Sequence, residues 1–191
     1  MTENIEKTAE AEKNYVSDQL AVKIGSVIAR ELHEGGTLII LDKAWDTHDR
    51  GFVIVPTYAG QDPEALKPDV WMSWRHELKR PLGGHTRIRD YAEVFDCLPV
   101  RSAEALRAID SEHALTHVEA LRRFHVGEPG LVALVLRVAH LPRSYKIETA
   151  ETEGEGERLS LPFDVTLEDL TPAVDDEDFE RRFARIKSAL R

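Results

Sequence analysis

Residues 37–58 read TLIILDKAWDTHDRGFVIVPTY. Two short apolar runs, Leu38 to Leu41 and Phe52 to Val55, frame a polar connection from Trp45 to Gly51. β-Branched and aromatic side chains dominate both runs, which predicts strands rather than helix. The connection is short and polar, so the two strands are expected to form a hairpin. Each run delivers chemistry to its end: Asp42 and Lys43 after the first, Pro56, Thr57 and Tyr58 after the second. Polar groups gathered at strand ends are a common place for ligands in mixed α and β domains.

On the N-terminal side, residues 1–14 are polar and charged and read as a disordered tail. Val16, Leu20, Ile24, Val27, Ile28 and Leu32 then recur at a helical period. They predict one amphipathic helix, opened by Ser17 or Asp18 and closed at Gly35-Gly36. On the C-terminal side, a short helix is expected over Gln61 to Pro68, with Pro63 in its first turn. A long bent strand follows from Thr86 to Leu98, after the break at Pro81 and Gly83-Gly84. Helices are expected from Ser102 through Ile109 and from His113 to Phe124. Leu131 to Leu141, the most apolar run, reads as a strand at the centre of a sheet, ended by Pro142, with Ser144 to Glu148 continuing after a bend.

Glu148 to Glu157 is an acidic stretch that reads as a mobile loop, and Arg158 to Val165 as an edge strand. Phe179, Phe183, Ile186 and Leu190 make one stripe of a C-terminal helix capped by Asp175 or Asp176. The fold class is α+β: a mixed, largely antiparallel sheet flanked by helices, with closure into a barrel left open. Residues 15–172 would form one domain, with a helix over 173–191 packed on it.

A chain of 191 residues has room for one substantial core. Cys97 is the single cysteine, which excludes an internal disulfide and a cysteine metal cage. No apolar stretch is long enough for a transmembrane helix, and the charged N-terminus lacks a secretory pattern, so a cytoplasmic protein is expected. The net charge of −10 is uneven. Residues 1–70 carry 7 basic and 13 acidic side chains, residues 71–147 carry 12 and 9, and residues 148–191 carry 6 and 13. An acidic whole repels phosphate, so binding of nucleic acid would need a local basic mouth in the middle third.

Trp45, Trp71 and Trp74 are the only tryptophans, and Arg75, His76, Lys79, Arg80 and His85 follow the last two. Rings interleaved with cations suit stacking on bases beside neutralised phosphates. The preferred expectation is a non-enzymatic nucleic-acid or nucleotide-binding module with a mouth built from Lys43, Trp45, Tyr58, Trp71, Trp74 and Arg75, RNA or single-stranded DNA being the expected partners. It assigns no catalytic residue, metal ligand or cofactor. The plainer alternative makes Trp71 and Trp74, three apart, a core-facing helical pair. Two other functions stay open. One is a metal-dependent nuclease or hydrolase using Asp42, Lys43 and one of Asp90, Glu93 and Asp96; on an unbulged strand Asp90 and Asp96 share a face. The other is a regulatory or interaction protein without a small ligand. His113 and His117 have a spacing able to hold a metal, but a solvated pair fits better and no third ligand is evident. Phosphate-loop, dinucleotide and nucleophile-elbow motifs are all missing.

The landmarks LIILDKAWDT, FVIVPTYAGQ, YAEVFDCL and LVALVLRVAHLP resemble those of a bacterial family of unknown function, DUF1802, over about residues 16–145. Family members carry Arg-Lys-Gly-Gly after the first strand, a His before the Gln of the second landmark, and His-x-Trp-Thr later. Here Lys43, His113 and Thr116 match, while Ala44-Trp45, Gly60 and Leu115 depart. The resemblance implies no activity. The succession YAEVFD, LVLRVAHLPRSYKIE and VTLEDL is also similar to EVE and ASCH domains of the PUA-like superfamily. That similarity implies a small β-barrel holding a nucleotide in an aromatic-lined mouth.

Overall fold

The computed structural model describes residues 19–45, 50–153 and 157–191; the tail expected over residues 1–14 lies outside them. Where one long helix was expected, the chain forms strand β1 (Ala21–Gly25) and then helix α1 (Ser26–His33). Leu20, Ile24, Val27 and Ile28 fit a helical period but satisfy two elements instead. Val22 and Ile24 are buried on the sheet, and Gly25 marks the junction. Gly35, at φ 71°, turns the chain out of α1 as expected.

Strands β2 (Ile39–Asp42) and β3 (Gly51–Thr57) sit where the apolar runs predict. They do not form the expected hairpin: β2 pairs with β5 (Leu131–Glu148), while β3 pairs with β1 and with β4 (His85–Val100). Burial explains this. Phe52 and Ile54 enter the apolar cluster beneath α1, and Val53 and Val55 enter a second cluster on the opposite face. A strand buried on both faces reads as an uninterrupted apolar run and belongs inside a sheet.

Helix α2 (Pro68–Trp74) and a 3₁₀ turn, Arg75–Leu78, follow, so the expected Gln61 to Pro68 helix shrinks to a 3₁₀ turn over Pro63–Ala65. Helix α3 (Ala103–Ala108) is capped by Ser102, whose Oγ accepts the Ala105 N–H at 3.1 Å. Helix α4 (His117–His125) starts later than expected because Thr116 caps it, which leaves His113 outside the helix. Strand β5 does not end at Pro142; it runs on to Glu148, with its register on β4 shifting between His140 and Tyr145. Helix α5 (Thr149–Thr152) stands where a mobile loop was expected, with Thr149 and Thr152 buried; residues 154–156 lie outside the description. The edge strand is only β6 (Arg158–Leu159), and β7 (Thr171–Pro172) adds to β5. Helix α6 (Asp176–Ala189) begins at its expected cap, Asp175.

The described residues make a seven-stranded sheet in the order β2-β5-β4-β3-β1-β6, with β7 beside β5. Only the β1–β3 pairing is parallel. The sheet is open, with β2 and β6 at its two ends, so the barrel alternative is not found. Phe179 and Ile186 bring α6 into the cluster shared by α3, α4 and β2. Among the described residues no helix is long and apolar enough to cross a membrane.

Glu112 fastens α6 to the rest. Only 2 % exposed, its carboxylate accepts from Arg182 Nε at 3.0 Å and Nη2 at 2.8 Å, and from Arg185. Arg182 Nη1 also donates to the Gly35 carbonyl at 2.7 Å and Nη2 to the Gly36 carbonyl at 3.1 Å.

Candidate functional site

The six residues expected to form one mouth are distributed over the molecule. Lys43 reaches across to the end of α4, where its ammonium donates to the carbonyls of Phe124, Glu128 and Gly130 at 3.1, 2.9 and 3.0 Å. Those contacts occupy all three of its donors. Replacing Lys43 with Met is therefore expected to cost about 1–3 kcal/mol in urea unfolding, because carbonyls at a helix end lose their partner. Faster amide exchange over residues 124–130 would localise the loss. Asp42 Oδ1 accepts from the Lys43 N–H at 2.6 Å, forming a local turn.

Trp45 packs against Phe52 with the rings tilted by 52° and 5.4 Å between centroids, beneath Arg158, in a cleft of about 480 Å³ between β1, β2 and α4. The cations around that cleft's acidic side are already matched: Arg122 and Arg123 both donate to Glu119. The Arg122 hydrogen bond, with Arg123 behind it, holds the Glu119 carboxyl down at about 2. Trp71 and Trp74 pack against the helical core, the alternative noted for them. Trp74 Nε1 donates to Glu31 at 2.5 Å, and the Arg30 guanidinium lies 5.2 Å above its ring. Arg75 is exposed at the end of α2.

Tyr58 alone among the six belongs to a second cleft, of about 470 Å³, and this one is basic. Its lining carries five cations, Arg30, Lys79, Arg87, Arg89 and Lys146, against the two carboxylates Glu77 and Asp90. Four elements supply its polar groups. Helix α1 presents Ser26, Arg30 and His33 on one face, at helical spacing. The 3₁₀ turn after α2 is held against α1 by Ser26 Oγ, which donates to the Glu77 carbonyl at 2.7 Å. Strand β4 contributes His85, Arg87 and Arg89 from alternate positions, and β5 contributes Lys146.

Arg87 and Lys146 are direct cross-strand partners. Like charges opposite each other destabilise a strand pair. Neither makes an ion pair among the described residues, and nor does Lys79 or Arg89. Burial, followed by the nearby Glu77, raises the Tyr58 phenol above its usual range, so it enters the cleft as a neutral hydroxyl. Leu82, fully exposed on the rim, gives the cleft an apolar lip beside Pro81.

At the cleft floor, a β-bulge separates Ile88 from Asp90, whose cross-strand partner is His140. Bulges re-aim side chains at functional sites. The Asp90 carboxylate, 6 % exposed, meets His140 from β5 and His33 from the last turn of α1. Both Nδ1 atoms lie 2.8 Å from Asp90 Oδ1, and the two rings stand 4.2 Å apart. A further register shift lies between Val94 and Asp96, so the shared face expected for Asp90 and Asp96 is broken.

A second polar cluster has a different character. Asp110 Oδ1 lies 3.9 Å from both His113 Nε2 and His117 Nδ1, with Lys67 Nζ 3.5 Å from the same carboxylate. An ammonium already serves Asp110, which disfavours a second cation there. Burial, reinforced by Lys67, depresses His113 to about 4 from its ordinary 6.5. Below pH 6.5 the unfolded chain takes up this proton first, so stability falls as pH drops towards 4. The expected contribution is about 3 kcal/mol across that window. Urea titrations at pH 7 and pH 4.5 should show it, with the difference reduced in H113F. Burial and the neighbouring Asp96 keep the Cys97 thiol above its usual range, so it is not an activated nucleophile.

His33, His140, Arg87, Arg89 and Lys146 were missed from sequence. The alternation His85, Arg87, Arg89 was the legible signal; the register that sets Lys146 and His140 opposite β4 was not.

The model of a family described as "Domain of unknown function (DUF1802)" matches residues 21–185. Neither a curated protein nor a solved structure matches the chain.

Proposed function

From a chain that belongs to the DUF1802 family, whose description assigns no activity, we infer that the basic cleft binds single-stranded nucleic acid. The observation that carries this reading is the Arg87–Lys146 pair, two cations opposite each other that make no ion pair among the described residues. A phosphodiester supplies the missing anion, and a backbone rather than a single phosphate matches cations spread along the cleft from Lys79 to Lys146. Tyr58 and the apolar lip at Leu82 offer surfaces for a base, a contact of about 1–3 kcal/mol. The excess of acidic side chains elsewhere confines attraction to this cleft.

The mouth thus moves from the tryptophans to β4 and β5, keeping Tyr58 from the original set. Anisotropy of a labelled single-stranded RNA, titrated at several salt concentrations with a chelator present, tests the reading. Binding that weakens steeply with salt supports it, and no binding at low salt would defeat it.

A further inference from the structure

We propose that His33, Asp90 and His140 form a binding site for a divalent first-row transition-metal ion at the floor of the basic cleft. Among the described residues these three alone bring metal-ligand atoms together, each within 4.8 Å of the others. Two imidazole nitrogens and one carboxylate oxygen are a donor set for ions from manganese to zinc, and a poor one for calcium.

The spacing agrees. Bonds of about 2.0–2.1 Å place neighbouring ligand atoms about 2.9 Å apart at a right angle and about 3.3 Å apart in a tetrahedron. Both nitrogen–oxygen separations here are 2.8 Å. All three ligand atoms lie within 4.8 Å of one another, close enough to share one ion.

The three ligands come from rigid elements: a helix end and two adjacent strands paired at Asp90 and His140. Ligands on helices and strands are held more accurately than ligands on loops. Asp90 is almost fully buried, whereas the His33 and His140 side chains are 23 % and 32 % exposed. The cluster is thus anchored from below and reachable from solvent. Three protein ligands leave coordination positions for small molecules. His33 and Asp90 also line the cleft, so one of those positions can take a phosphate oxygen of the bound strand. This last contact rests on the nucleic-acid reading; the ion itself does not.

Cobalt(II) is the probe, added to the full chain without a polyhistidine tag, magnesium serving as comparison. Calorimetry and visible absorption should report one Co²⁺ per chain and no response to Mg²⁺. H33Q and H140Q should each weaken Co²⁺ binding at least tenfold, with unchanged circular dichroism. D90N should do the same, and because Asp90 is buried, H140Q at the more exposed ligand keeps the test independent of any folding defect. Adding a short single-stranded RNA should shift the cobalt spectrum of the unaltered chain.

Failure of the unaltered chain to bind Co²⁺, or binding by H33Q and H140Q as tight as that of the unaltered chain, would overturn the site. An unshifted spectrum would overturn the phosphate contact while leaving the ion in place. RNA binding measured in chelator is independent of these results, so either idea can fail alone.

Discussion

K146E is expected to lower affinity for single-stranded RNA by on the order of 50-fold while leaving the fold as stable as before, or slightly more so. The two effects have one cause. Lys146 stands directly opposite Arg87 on the neighbouring strand, and neither makes an ion pair among the described residues. A carboxylate at position 146 turns a repulsive cross-strand pair into an attractive one, worth about 0.2–1 kcal/mol to the sheet. The same carboxylate engages Arg87, so the cleft loses two phosphate-binding cations at once. The salt dependence should flatten too, by about 1.4 in the slope of log affinity against log salt. A loss of binding accompanied by a lower melting temperature would instead mean that Lys146 is structural. Unaltered binding in K146E would place the nucleic acid elsewhere.

The largest expected loss of stability comes from E112A. Its carboxylate is buried and receives two donors of Arg182 and one of Arg185. Removing it leaves the Arg182 guanidinium, only 12 % exposed, with Asp178 at 3.8 Å as its remaining carboxylate. One-sided removal of a buried pair costs about 3–5 kcal/mol. Arg185, at 61 % exposed, is the control, and R185A should cost less than about 1 kcal/mol. Urea midpoints decide between them. A loss below about 1 kcal/mol in E112A as well would show that the buried carboxylate does not hold α6 by charge.

How much of this was legible follows from which forces act locally. The C-terminal helix was readable to its cap, because Asp175 and the stripe from Phe179 to Ile186 are set within one element. Strands β2 and β3 were readable from their β-branched runs, yet their partners were not, since pairing is decided by burial on both faces. The period from Leu20 to Leu32 misled because a strand followed directly by a helix can imitate one long amphipathic segment.

The binding residues suffered most from this limit. Trp71, Trp74 and Lys43 look functional in sequence because they are conspicuous residue types. In the fold Lys43 caps carbonyls and the tryptophans line a core. The site that emerges instead depends on the Asp90–His140 and Arg87–Lys146 pairings, each spanning about 50 positions or more. Nothing local announces such a register.

Arg182 and the two glycine carbonyls it holds are separated by almost the whole chain, 147 positions in the case of Gly35. On the ribosome, where segments emerge in order at about 5–20 residues per second, the turn between α1 and β2 must wait for Arg182 to be made before its carbonyls are held. Helix α6 is thus the latch on the turn that follows α1, and the domain closes late rather than as it emerges.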